Sequence, residues 1–100
     1  MSAYVIATYD IADPNGYEAY VSAVIPLLRK HGAEVLVAGH QAEALEGRAS
    51  GVTVVLKSPS EEAARNWYND PAYQPVRQIR FNSTRNGTAV LAKAFVPPSA

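Results

Sequence analysis

Cysteine is absent from the 100 residues, which excludes both a disulfide framework and a thiolate metal site. Histidine occurs twice, at His31 and His40, too sparse and too far apart for a ligand cluster, so no metal is expected. Charge of either sign is lacking in excess: nine basic and nine acidic side chains cancel, and the pI is ≈ 6.7. A nucleic-acid binder would show a basic surplus or stripe, so no nucleic-acid partner is expected. No run approaches the roughly 18 apolar residues of a membrane span, and none is expected to meet a membrane. The opening Met1-Ser-Ala-Tyr lacks the basic segment of a secretory signal, which makes a cytoplasmic location the default expectation. Glycines stand singly and form no phosphate-cradling loop, and nothing in the chain calls for a cofactor.

What remains is 48% hydrophobic and 18% charged, the composition of a soluble globular domain. One such domain is expected over residues 1–96, with a loose tail over 97–100. The most ordered stretch runs from Ser58 to Gln74 and holds the single tryptophan. Ser60 is a good helix N-cap, and Glu61 and Glu62 fall in the first turn, where the helix dipole favours negative charge. Ala63, Ala64, Trp67 and Tyr68 share one helical face. Asn69-Asp70-Pro71 should end that helix and start another, with Asp70 as cap and Pro71 at the first helical position. Pro75 blurs that second start.

Residues 3–11 are rich in β-branched and aromatic types and read as a first strand. Asp13-Pro14 opens a helix whose stripe is Tyr17, Tyr20, Val21, Val24 and Leu28, ending at Lys30-His31-Gly32. Pro26 should bend it. Residues 33–39 and 52–57 read as the second and third strands, with a polar excursion over 41–51 between them. Asn82 to Gly87 reads as a turn and Thr88 to Phe95 as the last strand. The order β-α-β-β-α-α-β favours an α+β, ferredoxin-like β-α-β-β-α-β sandwich, with an antiparallel sheet and its helices on one face. The first and third strands are expected side by side, and parallel, at its centre.

Alternation then sorts the strands into two faces. Val5, Ala7, Tyr9, Val35, Val37, Val52, Val54 and Leu56 should lie under the helices. Tyr4, Ile6, Thr8, Asp10, Leu36, Ala38, His40, Thr53, Val55 and Lys57 make the other face, half apolar and half polar. Such a face is awkward in water, and a second copy packed sheet to sheet would cover it. The expected partner is therefore the chain itself, as a homodimer, with a small-molecule ligand as the further partner.

The opening Ala3-Tyr-Val-Ile, the Asp13-Pro-Asn-Gly-Tyr17-Glu-Ala-Tyr20 helix start and Leu28-Arg-Lys-His-Gly32 are similar to one known family. So are Leu45-Glu-Gly47, the Ser58 to Tyr68 block, Asp70-Pro-Ala-Tyr73-Gln74 and Arg80. Over about residues 3–95 the chain resembles the domain of unknown function 1330 family, within the dimeric α+β barrel superfamily. The resemblance implies a ferredoxin-like protomer whose sheet pairs with a partner's sheet into a barrel. It carries no established activity. More distant relatives in the superfamily include cofactor-free oxygenases, isomerases and haem-handling enzymes, and their catalytic motifs have no residue-by-residue match here.

His40 is the catalytic candidate, as the one side chain of its face suited to moving a proton near neutral pH. Tyr4, Thr8, Asp10, Lys57 and Arg80 are the ligand-binding candidates. Asp10 and Lys57 are expected at one end of neighbouring strands, as an ion pair or a ligand clamp. His40 is expected about 16 Å from Asp10, at the far end of the sheet, which argues against a dyad. Trp67, Tyr68 and Tyr73 suit core packing or an aromatic box. Arg77, Arg80 and Arg85 form a local basic cluster that suits a carboxylate or phosphate, or pairing with acids such as Glu46. Three functions follow: a small-molecule binder, with its ligand between sheet and helices or between paired sheets; a cofactor-free oxygenase or isomerase acting on a small aromatic or carbonyl compound; and a structural or regulatory dimer without ligand.

Overall fold

The first strand forms because Ala3 to Ile11 alternates side chains that suit a half-buried pleat, with Val5 and Tyr9 turned inward and buried. In the computed structural model, which describes residues 1–98, the elements are β1 (Ala3–Ile11), α1 (Pro14–Lys30), β2 (Glu34–Gly39), β3 (Val52–Ser58), α2 (Glu61–Tyr68), α3 (Tyr73–Ser83) and β4 (Thr84–Lys93). The four strands make one antiparallel sheet in the order β2-β3-β1-β4, the ferredoxin-like arrangement. Of the expected tail, residues 97 and 98 carry no regular secondary structure, and 99 and 100 lie outside the described residues.

The central pair is antiparallel, with Ala3 opposite Ser58 and Tyr9 opposite Val52. The expectation of parallel central strands fails for a topological reason. α1 returns the chain so that β2 runs parallel to β1, but β3 inserts between them, antiparallel to both.

α1 buries Tyr17, Tyr20, Val24 and Leu28 of the stripe its spacing predicts, while Val21 of that stripe is exposed at the cavity edge. Pro26 lies inside it on the exposed side, where water can reach the carbonyl left without a partner. Asp13 precedes it without a side-chain cap bond. Instead the backbone N–H groups of Ala12 and Asp13 donate to the Ser83 carbonyl at 2.8 and 3.0 Å, tying the start of α1 to the end of α3. Gly16 makes that approach feasible, since a Cβ there would stand 3.0 Å from the Ser83 Cβ.

Ser60 caps α2 as expected, its Oγ accepting from the Ala63 N–H at 3.0 Å. Asp70 does not sit at the start of α3. Its Oδ1 accepts from the Ala72 N–H at 2.9 Å, holding a Pro71-Ala72 turn, and the helix begins at Tyr73. Pro75 then falls in the first turn, where its missing N–H is not needed. No turn separates α3 from β4, because Thr84 and Arg85 already pair with Ile11 and Asp10. Asn86, at φ 56°, is spent on the irregularity between Thr8 and Asp10 of the partner strand rather than on a reversal.

A second irregularity, between Val35 and Val37, changes the faces of β2. Val35 stands opposite Leu56, Val37 opposite Val55 and Ala38 opposite Val54. Val37 therefore moves to the open face, and Ala38 to the helix side, the reverse of simple alternation.

Candidate functional site

Between α1 and the sheet lies a cavity of about 320 Å³. Its floor is Val5, Ala7, Tyr9, Val54 and Leu56 from the two central strands, with Ala89 from β4 and Val35 and Ala38 from β2. Tyr17, Tyr20, Val21, Val24, Ile25 and Leu28 of α1 cover it. Trp67 and Tyr68 of α2 and Tyr73 and Arg80 of α3 close one side. The helix spacing that makes α1 amphipathic is thus what roofs the cavity.

The polar groups in this wall are few and arranged in pairs. The hydroxyls of Tyr9 and Tyr17 hydrogen-bond at 2.7 Å, and those of Tyr20 and Tyr73 at 2.9 Å. Burial, and then the bond to Tyr17, raise the Tyr9 pKa well above the usual tyrosine range. Burial, and then Tyr73, do the same to Tyr20. Both phenols stay protonated across the physiological range. Arg80 is 5% exposed, with its guanidinium carbon 5.6 Å from the centre of the Tyr9 ring, 5.8 Å from Tyr20 and 5.1 Å from Phe81. Burial opposes its charge, but the oxygens of Tyr73, Tyr20 and Tyr9 outweigh that and hold its pKa above the ordinary arginine value. Arg80 also borders a second, more polar recess with Phe81, Thr84, Arg85 and Thr88.

Trp67 is a wall of this cavity as well as a core residue: its ring lies 4.5 Å from that of Tyr73 and is 5% exposed. Arg77 stacks on Tyr68 at 4.7 Å and hydrogen-bonds to Gln74 Oε1, and it shares the Phe81 ring with Arg80. Glu46 pairs with none of Arg77, Arg80 and Arg85.

The other residues singled out from sequence lie outside the cavity. Tyr4 and Lys57 are cross-strand neighbours on the open face. Thr8, on the same face, bonds to Thr88 through their hydroxyls at 2.9 Å. Asp10 is at the end of the sheet opposite Lys57, so the two form no ion pair. Their expected proximity rested on parallel central strands, and antiparallel pairing sends them apart. Asp10 instead ties down the 41–51 excursion, accepting from the Gly51 N–H at 2.8 Å and from Asn86 Nδ2 at 3.2 Å. Those two bonds lower its pKa.

His40 is exposed and stands on the helix side, its ring 6.2 Å from that of Tyr17. It lies at the same end of the sheet as Asp10, because Gly39, Thr53 and Thr8 form one cross-strand row. Two strand spacings, about 10 Å, separate their strands, rather than the length of the sheet. The Asp10 oxygens are already engaged, and no hydrogen bond joins the two residues.

His31 and Lys30, which the sequence places at the end of α1, do more than close the helix. His31 Nε2 lies 2.8 Å and Lys30 Nζ 2.9 Å from Asp70 Oδ2, locking the end of α1 to the turn before α3. These bonds, His31's first, pull the Asp70 pKa well below the usual carboxylate range. No spacing rule links residues so far apart in sequence. Among the described residues no group of three or more His, Cys, Asp or Glu side chains is placed to hold a metal, and no helix is long and apolar enough to cross a membrane.

Comparison with known proteins gives the fold many relatives of unassigned role. A protein of unknown function from Rhodopseudomonas palustris has a similar structure, with TM-score 0.77 and 18% identity, over 96% of this chain and 84% of that one. A dimeric ferredoxin-like protein of unknown function from Thermobifida fusca gives 0.65 and 19%, over 94% and 92%. SnoaB, a cofactor-independent oxygenase from Streptomyces nogalater, gives 0.68 at 10% identity, over 96% and 95%. At these identities the likeness is one of fold alone. No curated protein matches the chain. The model of the domain of unknown function family DUF1330 matches residues 2–94, and the chain belongs to that family.

Proposed function

We propose that this protein binds a small, largely apolar molecule in the cavity between its sheet and helices, and that it does so as a homodimer. The cavity carries the reading: at about 320 Å³ it falls at the lower end of the range for small-molecule sites, roughly 300–1,000 Å³. Its wall, apolar and aromatic with a few converging polar groups, has the composition of such sites. Binding without chemistry is favoured over a cofactor-free oxygenase or isomerase. A general base needs a pKa near the working pH, whereas Tyr9 and Tyr20 are pushed away from it. His40 stands outside, against Tyr17.

Dimerisation is supported by the open sheet face. It presents Ile6, Val55, Val37 and Val90, the last two 43% and 53% exposed. A second copy stacked on it would bury them as paired sheets do, about 10 Å apart. Tyr4, Thr8 and Lys57 then belong to the interface between copies rather than to the cavity.

Two measurements test this. Light scattering coupled to size exclusion should give about twice the 10.7 kDa chain mass, and a monomer at every concentration would remove the dimer. A thermal-shift screen of small aromatic and aliphatic compounds should find stabilisers that Val24→Trp, which fills the cavity, abolishes. Stabilisers that bind that variant as well as the wild type would place binding elsewhere.

A further inference from the structure

We infer that the molecule taken by this cavity is an apolar monocarboxylate, with its carboxylate on Arg80 and its hydrocarbon or aromatic body against the valine and tyrosine wall. The inference rests on the binding role proposed above and adds the class of ligand. Its ground is an imbalance between donors and acceptors. Arg80 is 5% exposed, its Nε is buried without a hydrogen-bond partner, and no carboxylate among the described residues pairs with it. An arginine cannot escape such a position by shedding its proton. The faces of Tyr9, Tyr20 and Phe81 compensate the charge in part, at 5.1 to 5.8 Å. Those faces carry no formal negative charge, and Arg80 Nε keeps no hydrogen-bond partner.

The neighbouring hydroxyls can both donate and accept, and the Tyr73 oxygen helps to hold the Arg80 charge, but none of them brings the negative charge of an acid. In each tyrosine pair one hydroxyl donates to the other, which leaves one O–H per pair with no partner in the pair. Trp67 Nε1 is buried and unpartnered too. A ligand that completes this wall brings negative charge and acceptor oxygens. A carboxylate offers two coplanar oxygens, which match the planar fork. A phosphate also fits the fork, but it would leave further charged oxygens in a cavity whose wall is mostly apolar, with Val5, Val24 and Leu56 among it. The apolar remainder of the cavity calls instead for a hydrocarbon body.

The test uses the full chain, with the fluorescence of Trp67, its single tryptophan, as the signal. Phenylacetate, hexanoate, phenylacetamide and inorganic phosphate are titrated at neutral pH into the wild type, Arg80→Met and Arg80→Lys. In the wild type one of the two carboxylates should bind, and phenylacetate should bind at least about tenfold more tightly than its amide, the size of effect a charged hydrogen bond gives. Phosphate should leave the signal unchanged. Arg80→Met should erase the preference for acid over amide in a protein that still folds, since it replaces a buried cation without an acid partner by an apolar side chain of similar length. Arg80→Lys keeps the charge without the fork and should retain a reduced preference. If Arg80→Met does not fold, the wild-type ratio and Arg80→Lys decide. Equal binding of acid and amide would overturn the carboxylate and leave the cavity as a binding site. Phosphate binding as tight as phenylacetate would overturn the apolar class. Failure of every probe would overturn the binding role and this inference with it.

Discussion

Asp70 and Arg80 are buried to a similar depth, 8% and 5% exposed, at either end of one stretch of chain, yet their surroundings are opposite. Asp70 meets Lys30, His31 and the Ala72 N–H, and its lone pairs are spoken for. Arg80 meets three aromatic faces and no acid. A buried charge costs several kcal/mol unless partners replace its water. Asp70 is replaced in full by the fold itself, and it does the work of a clasp between α1 and α3. Arg80 is left short, which for a folded protein makes sense where something else completes it. Burial alone does not tell a structural charge from a functional one; the partner count does.

Trp67 stands between the two, packed on Tyr73 at 4.5 Å and forming part of the cavity wall. Its removal should have the largest effect on the comparison. Trp67→Ala is expected to cost on the order of 3–5 kcal/mol in a denaturant titration, as other large-to-small aromatic core changes do. That is a large part of a small domain's stability. A loss below about 1 kcal/mol would mean that the ring is held for a ligand rather than for its neighbours.

The clasp should come next, and its signature is pH. The Asp70 pKa is lowered in the folded chain by His31, Lys30 and the Ala72 N–H. A lowered carboxylate pKa contributes stability that is fully present above the unfolded value of about 3.9 and is lost as pH falls through the folded one. The wild type should therefore lose stability on acidification through that window, and Asp70→Asn should lose less there while starting lower at neutral pH. Thermal midpoints from pH 7 down to about 3 would show it. Parallel curves for the two proteins would show that Asp70 is not the group responsible.

How far sequence alone reaches can be judged on the same elements. The stripe of α1 and the Ser60 cap are local patterns, and both are present where their spacing puts them, save for the exposed Val21. Arg80 stands out in sequence as one of three clustered arginines, but its lack of an acid does not, because that depends on which strands lie beneath α3. The Asp70 clasp joins residues 39 and 40 positions apart, beyond any periodicity. In β2 one irregularity between Val35 and Val37 was enough to exchange the faces of Val37 and Ala38. Asn86-Gly87 carries a strong turn signal, and the chain uses it inside a strand, where Asn86 accepts a positive φ next to an irregular pairing. In β2 and at Asn86 a tertiary constraint outweighed a correct local preference.

The smallest expected effect supplies the reference against which both buried charges are read. Arg65 and Glu61 form an ion pair at 3.1 Å, one turn apart on α2, with side chains 59% and 37% exposed. Both remain in water, so neither depends on the other to replace lost solvation, and salt screens what attraction remains. Arg65→Ala should cost only about 0.3–0.5 kcal/mol, a difference that shrinks further at high salt. Alanine is a better helix former than arginine, which offsets part even of that. Urea titrations at low and high ionic strength would measure it. A loss as large as that of Asp70→Asn would mean that charge pairing counts equally inside and outside this fold. The distinction between a satisfied Asp70 and an unsatisfied Arg80 would then lose its physical basis.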